Sequence, residues 1–344
     1  MTDRTTSGAG FQPAWWLRGP HAQTVGARLL RSRRGVRFAR ERVELPDGDF
    51  LDLDWVARSR CATPNDGAPL VLVLHGLEGC AESGYAREMY RALGSVGLAA
   101  VGMNFRACSG EPNRLPRMYH SGETGDLAHV LQMLRARYPG RPLGVTGFSL
   151  GGNVLLKFLG ERGGSGDGGA TPGAAVAISV PFDLSAGAEW IERGFSRVYR
   201  RYLVRRLHRK VRRKIDLLRP HVDVGRVLRS RTFRDFDDAA TAPLHGFAGA
   251  EDYYRRSSSA PFVGAIEVPT LLIHALDDPF VPAVAVPREA LRRNPMIDVR
   301  ISERGGHVGF VTGPPWRPRF WAEGEAARFL ATRLGESGAS RPTH

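Results

Sequence analysis

Six short apolar runs recur along the chain: Leu70–Leu74 (LVLVL), Leu98–Met103, Leu143–Thr146, Ala174–Ser179, Val268–His274 and Ile297–Ser302. Each is rich in Val, Leu, Ile or Ala, and they are read as continuous apolar runs rather than alternating ones. That is the pattern of strands buried on both faces. Gly84–Val96 and Thr124–Tyr138, which lie between runs, carry helical spacing. Alternating strand and helix signals predict a doubly wound, mostly parallel α/β sheet. Ahead of it, Val43–Trp55 alternates around Pro46-Asp47-Gly48, a hairpin signal. CATPNDGAP, Cys61–Pro69, reads as a loop. Between Asp183 and Val263 the pattern breaks and no core strand is evident.

The expected organisation is an N-terminal extension at 1–42 and the first part of the core at 43–182. A cap insertion follows at 183–263, then the second part of the core at 264–335 and a disordered tail at 336–344. An insertion between core strands would overhang the strand C-terminal ends, the edge where open α/β sheets bind ligands.

Composition changes this picture little. A chain of 344 residues with 42% hydrophobic and 24% charged residues is ordinary for a globular protein with a sizeable core. Three cysteines, Cys61, Cys80 and Cys108, lack metal-ligand spacing and argue for a reducing compartment. No secretory signal or membrane-spanning run is visible, so a cytoplasmic location is expected. The formal charge of +14 is local in origin. Arg197–Lys214 holds ten basic residues and no acid; without it, 39 basic residues face 35 acidic ones, a net of +4.

Candidate chemistry begins at VTGFSLGGNVLL. Gly147-Phe148-Ser149-Leu150-Gly151 follows a predicted strand and precedes a predicted helix, Asn153–Glu161. G-x-S-x-G in that setting is the nucleophile-elbow pattern, in which the residues flanking the serine approach too closely for a Cβ. A serine hydroxyl needs a positioned base, and the base needs an orienting carboxylate. Asp277-Asp278-Pro279 lies just past the Val268–His274 run, and His307 sits in the glycine-rich loop after Ile297–Ser302. The order Ser149, Asp278, His307 places three candidates at three strand ends. As isolated residues, Asp278 would serve as a turn former and His307 as a loop histidine. Two backbone N–H groups are expected to receive an oxyanion: that of Leu150, and that of Leu77 in His75-Gly76-Leu77-Glu78-Gly79. Arg106, Cys108, Glu111, Arg114, His120 and Glu123 crowd one loop, where a structural role is favoured over a chemical one. Nothing calls for a metal or another cofactor.

With those residues in view, HGLEG, NFRACSGEPNRLPRMYHSGETGDL, GFSLGGN, PFDL, FDDAATAPLHGFAGAEDYYRRSS, LDDPFVP and GGHVGF together resemble the YheT-like branch of the α/β-hydrolase superfamily. That branch is related to the animal ABHD phospholipase-like proteins and the yeast ethanol acyltransferases. The likeness runs from PHAQT at Pro20 to about Trp316. It implies an α/β-hydrolase fold and a Ser-Asp-His relay at Ser149, the Asp277-Asp278 pair and His307. The motif's layout assigns the acid to Asp278, directly before proline. The expected activity is hydrolysis of small-molecule or lipid-like carboxylic esters through an acyl-serine. An alcohol acceptor in place of water would make the protein an acyltransferase.

The alternative from a different class is a non-catalytic binding module that uses the basic segment. In SRVYRRYLVRRLHRKVRRKIDLL, Val198, Leu203, Leu207, Val211, Ile215 and Leu218 recur at near-helical spacing. A cap helix with solvated arginines and a helix lying on an anionic membrane both fit. Nucleic acid is disfavoured because no aromatic residues interleave usefully for stacking. Oligomeric state is not encoded in any pattern found.

Overall fold

The computed structural model describes residues 10–57, 67–163 and 171–339. The expected loop at Cys61–Pro69 falls outside it up to residue 66, as does the chain after residue 339. The chain runs α1 (Pro20–Leu30), β1 (Arg37–Glu44), β2 (Phe50–Ala57), β3 (Leu70–Leu74), α2 (Gly84–Ser95), β4 (Ala99–Asn104), α3 (Gly125–Arg137), β5 (Leu143–Phe148), α4 (Leu150–Glu161) and β6 (Ala174–Ile178). Helices follow: α5 (Leu184–Trp190), α6 (Ser196–Arg213), α7 (Ile215–Leu218), α8 (Val224–Arg229) and α9 (Phe233–Phe236). A π-helical turn at Asp237–Thr241 leads into α10 (Ala242–His245) and α11 (Ala250–Ser257). The sheet resumes with β7 (Thr270–Ala275), α12 (Arg288–Arg293) and β8 (Ile297–Ser302). A small ribbon of β9 (Val311–Thr312) and β10 (Arg319–Phe320) precedes α13 (Trp321–Ala339).

The main sheet has eight strands in the order β1-β2-β4-β3-β5-β6-β7-β8. The first hairpin joins β4 antiparallel, and all pairings from β4 through β3 to β8 are parallel. The six runs became its parallel strands, and in the inner five both faces are covered; β8 is an edge strand, where IDVRIS alternates and Asp298 is exposed. In β3, Leu70, Leu72 and Leu74 pack with α3 and α4, while Val71 and Val73 pack with α2 and α13. Successive residues meet different layers, and every side chain of this strand is apolar and buried.

The first hairpin strand begins at Arg37, ahead of the expected Val43 and inside the expected extension. It lies at the sheet edge with mostly exposed residues, so its register is written in arginines rather than apolar side chains. The last helix likewise runs through Ala339, into the stretch expected to be a disordered tail. Burial of Leu330 and Leu334 anchors its preceding turns, and adding residues to a formed helix is easy.

The helices between β6 and β7 enclose an apolar cluster of their own. Leu207 and Val211 of α6 pack with Leu218, Val227 and Phe236, and Met118 of the loop after β4 joins them. Among the described residues, no helix is long and apolar enough to cross a membrane.

Candidate active site

Ser149 follows β5 directly and takes up φ 51°, ψ −117°, a conformation that costs a non-glycine residue strain. The turn is tight enough to dictate its neighbours. A Cβ on Gly147 would come within 2.4 Å of the Gly151 carbonyl oxygen, and one on Gly151 within 2.7 Å of the His75 carbonyl oxygen. The turn is held because β5 is central in the sheet and α4 is buried at every position from Leu150 to Gly160.

Two loops from the far side of the sheet close on the serine. His307 Nε2 lies 2.9 Å from Ser149 Oγ, and His307 Nδ1 lies 2.8 Å from Asp278 Oδ2. With the Nδ1 proton donated to the carboxylate, Nε2 is left to accept from the hydroxyl. Asp278 is 2% exposed, and its Oδ1 accepts the Phe280 N–H at 2.7 Å. The Phe280 ring stacks on the imidazole, with centroids 4.1 Å apart. Asp277 points elsewhere: its Oδ1 accepts the Gly306 N–H at 2.8 Å, and burial raises its pKa. That bond fixes the glycine turn from which His307 emerges.

Several groups that hold this loop were not found by sequence reasoning. Thr24 Oγ1 of α1 accepts the His307 N–H at 2.9 Å. Gln23 Oε1 accepts from Val311 N at 2.8 Å, and Ser179 Oγ accepts from Val308 N at 3.0 Å. The only sequence signals were the PHAQT stretch and the phenylalanine of LDDPFVP, neither of which by itself suggests a contact with the histidine.

Leu77 and Leu150 border the same cavity as Ser149 and His307. In the turn after β3, the N–H groups flanking that of Leu77 are taken. Gly76 donates to Tyr85 Oη at 2.9 Å and Glu78 donates to Tyr119 Oη at 2.8 Å. His75 braces the turn from below. It is buried, its Nδ1 meets the Gly76 carbonyl at 2.8 Å, and its Nε2 accepts from Phe105 N at 3.2 Å. Burial lowers its pKa to about 4, so it is a neutral strut.

The Glu78 carboxylate ties this turn to α6. It takes a hydrogen bond from Tyr119 Oη at 2.9 Å and an ion pair from Lys210 Nζ at 2.8 Å, with Arg206 Nε at 3.7 Å. Burial opposes the Lys210 charge, but Cys108 and Glu78 beside it outweigh that, and its pKa lies above the ordinary lysine value. One side of the basic helix therefore reaches the site, which the amphipathic pattern did not reveal.

The crowded loop after β4 is largely occupied with structural work. Buried Arg106 spans Asp126 at 2.6 Å, Asp47 at 2.8 Å and Asp49 at 2.9 Å, joining α3 to the first hairpin. Arg42 pairs with Glu111, and Cys108 accepts from Lys210 Nζ at 3.1 Å. His120, Glu123 and His245 do come together, with ligand atoms all within 4.8 Å. Glu123 is already bound by Arg117, and burial and nearby cations lower both histidine pKa values. A cation there would face that guanidinium.

The cavity has a volume of about 880 Å³ and runs between the strand ends and the helices above them. Its walls include Leu184, Ile191 and Leu203 beside Tyr253 and Tyr254. Asp237 also lines it; burial pushes its carboxyl up to about 6 against hydrogen bonds from Thr241 and Tyr254. The arrangement offers a hydroxyl with a base at hydrogen-bond distance, a carboxylate behind the base, and a mainly apolar chamber for a substrate.

Comparison with known proteins agrees with this architecture. A family described as alpha/beta hydrolase fold matches residues 69–314. The chain is 40% identical over 334 residues to the Escherichia coli (strain K12) protein named "Putative esterase YheT", covering 96% of this chain and 95% of that one. It is 30% identical over 307 residues to a Mus musculus protein named Phospholipase ABHD3, covering 88% of this chain and 74% of that one. Among solved structures, a Pyrococcus furiosus esterase matches with a TM-score of 0.54 at 18% identity, covering 86% of this chain and 93% of that one. At that identity the structural likeness speaks for the fold alone.

Proposed function

The chain belongs to the α/β hydrolase fold family, and from that premise we propose that it is a serine esterase acting on carboxylic esters with a lipid-like acyl part. The observation that carries the reading is the continuous hydrogen-bonded chain from Ser149 Oγ through His307 to Asp278, at 2.9 and 2.8 Å. The names of the relatives, an esterase and a phospholipase, support the substrate class. So does the mainly apolar cavity beside the serine.

In this mechanism His307 Nε2 takes the hydroxyl proton as Ser149 Oγ bonds to the ester carbonyl carbon. The carbonyl oxygen becomes an oxyanion and receives the N–H groups of Leu77 and Leu150, each contributing about 3 kcal/mol. The imidazolium, stabilised by Asp278, returns the proton to the leaving alcohol as the C–O bond breaks. Water, deprotonated by the same histidine, then attacks the acyl-serine, and collapse of the second tetrahedral species releases the acid. Phe280 and the Thr24 bond keep the imidazole at the angle both steps require.

The test is labelling with a serine-directed fluorophosphonate, followed by p-nitrophenyl esters of graded chain length. Wild-type protein is expected to label and to turn over esters. Ser149→Ala is expected to fold normally, fail to label and lose about 10⁶-fold in kcat. Labelling that persists in the alanine variant would remove Ser149 from the mechanism.

A further inference from the structure

The cavity opens between two helices that share an unusual composition. Pro20–Arg40, which contains α1, has six arginines and no acidic residue, and Phe195–Ile215, which contains α6, has ten basic residues and none. The two lie side by side. The His21 ring is 4.8 Å from that of Phe195, His21 Nδ1 is 3.0 Å from Tyr199 Oη, and Arg28 caps the Tyr202 ring at 4.8 Å. Val25, Arg28 and Leu29 of α1 and Tyr202 and Arg206 of α6 all border the cavity.

This rim leaves apolar surface in water. Leu29 is 78% exposed, Val198 54% and Phe195 53%. On α6, Val198, Tyr202, Arg205 and Arg209 follow at three- and four-residue steps and so share one side of the helix. Exposed arginines, among them Arg28, Arg33, Arg201, Arg205 and Arg209, surround the apolar groups. Of the three acids that line the cavity, Glu78, Glu82 and Asp237, Glu78 is paired with Lys210 and Glu82 with Arg87. Apolar side chains ringed by arginine, at the mouth of an apolar chamber, match the boundary between lipid headgroups and acyl chains.

We propose that the α1–α6 face docks on an anionic lipid bilayer and sets the cavity mouth against the membrane. The apolar groups enter the acyl boundary while the arginines engage headgroup phosphates. A lipid-like ester then reaches Ser149 without crossing water. Docking does not depend on the ester chemistry, so the two are read separately.

The experiment is flotation of the whole protein with vesicles of phosphatidylcholine, with or without about one third phosphatidylglycerol. Salt is set at about 0.01 M, where charges are felt over about 30 Å, and at about 0.15 M, where the range is about 8 Å. Binding is expected to the anionic vesicles and to weaken with salt. The pair Arg205→Glu and Arg209→Glu should bind about tenfold or more weakly at low salt. Phe195→Ser with Val198→Ser should bind several-fold more weakly at both salt levels. Arg292→Glu with Arg293→Glu on α12, an equal change of charge away from the cavity, should bind as wild type. All three variants should retain turnover of a short soluble ester, which shows that they fold. Absence of wild-type binding to anionic vesicles at low salt overturns the proposal. So does wild-type binding by the α6 variants, or preference for a DNA duplex over the vesicles.

Discussion

Asp277 and Asp278 are adjacent, yet their carboxylates meet different partners, the Gly306 N–H and the His307 imidazole. Asp278→Asn is expected to lower kcat about 10⁴-fold, because an amide cannot stabilise the imidazolium and favours the wrong tautomer. Asp277→Asn keeps an oxygen for Gly306 and should stay within about tenfold of wild type. Equal losses in steady-state kinetics would undo this division. Asp237 gives a second residue-scale prediction. Its folded pKa of about 6 lies above the ordinary aspartate value of 3.8, so the native state holds a proton that the unfolded chain has released between those values. Folding stability therefore falls as pH rises through that window, and Asp237→Asn removes the fall. The variant should gain about 2 kcal/mol over wild type between pH 4 and 6, discounted for the cavity that partly hydrates the site. Thermal melts across that range measure it. At this scale Ser149, Asp278 and His307 were legible as candidates because each closely follows a strand signal. Thr24, Gln23 and Phe280 were not, because a hydroxyl, an amide or a ring carries no mark of a partner that is distant in sequence.

The elements follow the same logic. The inner parallel strands declared themselves because burial on both faces selects apolar residues, whereas β1, at the sheet edge, carries arginines that resemble loop. Helix α6 was legible as amphipathic, but periodicity assigns a side chain only to a face. It could not separate Lys210, held inside by Glu78 and Cys108, from Arg209, which is exposed. Lys210→Met would leave Glu78 less well paired beside the Leu77 turn. The expected result is a fall in kcat of about tenfold or more with KM for a short ester little changed, since the donor geometry rather than substrate binding is disturbed. An unaltered kcat would separate α6 from the chemistry. Arg106 is the contrasting case, a charge bridging α3 and the hairpin far from any reacting atom. Arg106→Met strands the buried carboxylates of Asp49 and Asp126, and should cost about 3–5 kcal/mol in denaturant unfolding while leaving the kinetics of the folded fraction intact.

Across the whole molecule, a sheet of eight strands holds the serine, and the helices between β6 and β7 roof it, so the chamber is shaped by parts of the chain far apart in sequence. Its volume of about 880 Å³ leaves room for more than a short acyl group. Each methylene buried there is worth about 0.8 kcal/mol. kcat/KM should therefore rise from acetyl to octanoyl esters, and a maximum at acetyl would show that the chamber is not where the acyl chain goes. The chamber's substrate could not be read from sequence, since its walls come from many segments that each read as ordinary core or cap. The bond from Thr24 to His307 joins positions 283 residues apart. During synthesis, the first helix waits for nearly the whole chain before its partner loop exists. On the proposed mechanism, a ribosome-bound chain arrested before Gly305 holds Ser149 and Asp278 without His307, so the nascent protein is expected to be chemically silent. On that reading, ester cleavage waits until the segment around Thr24 and the loop of His307 have met.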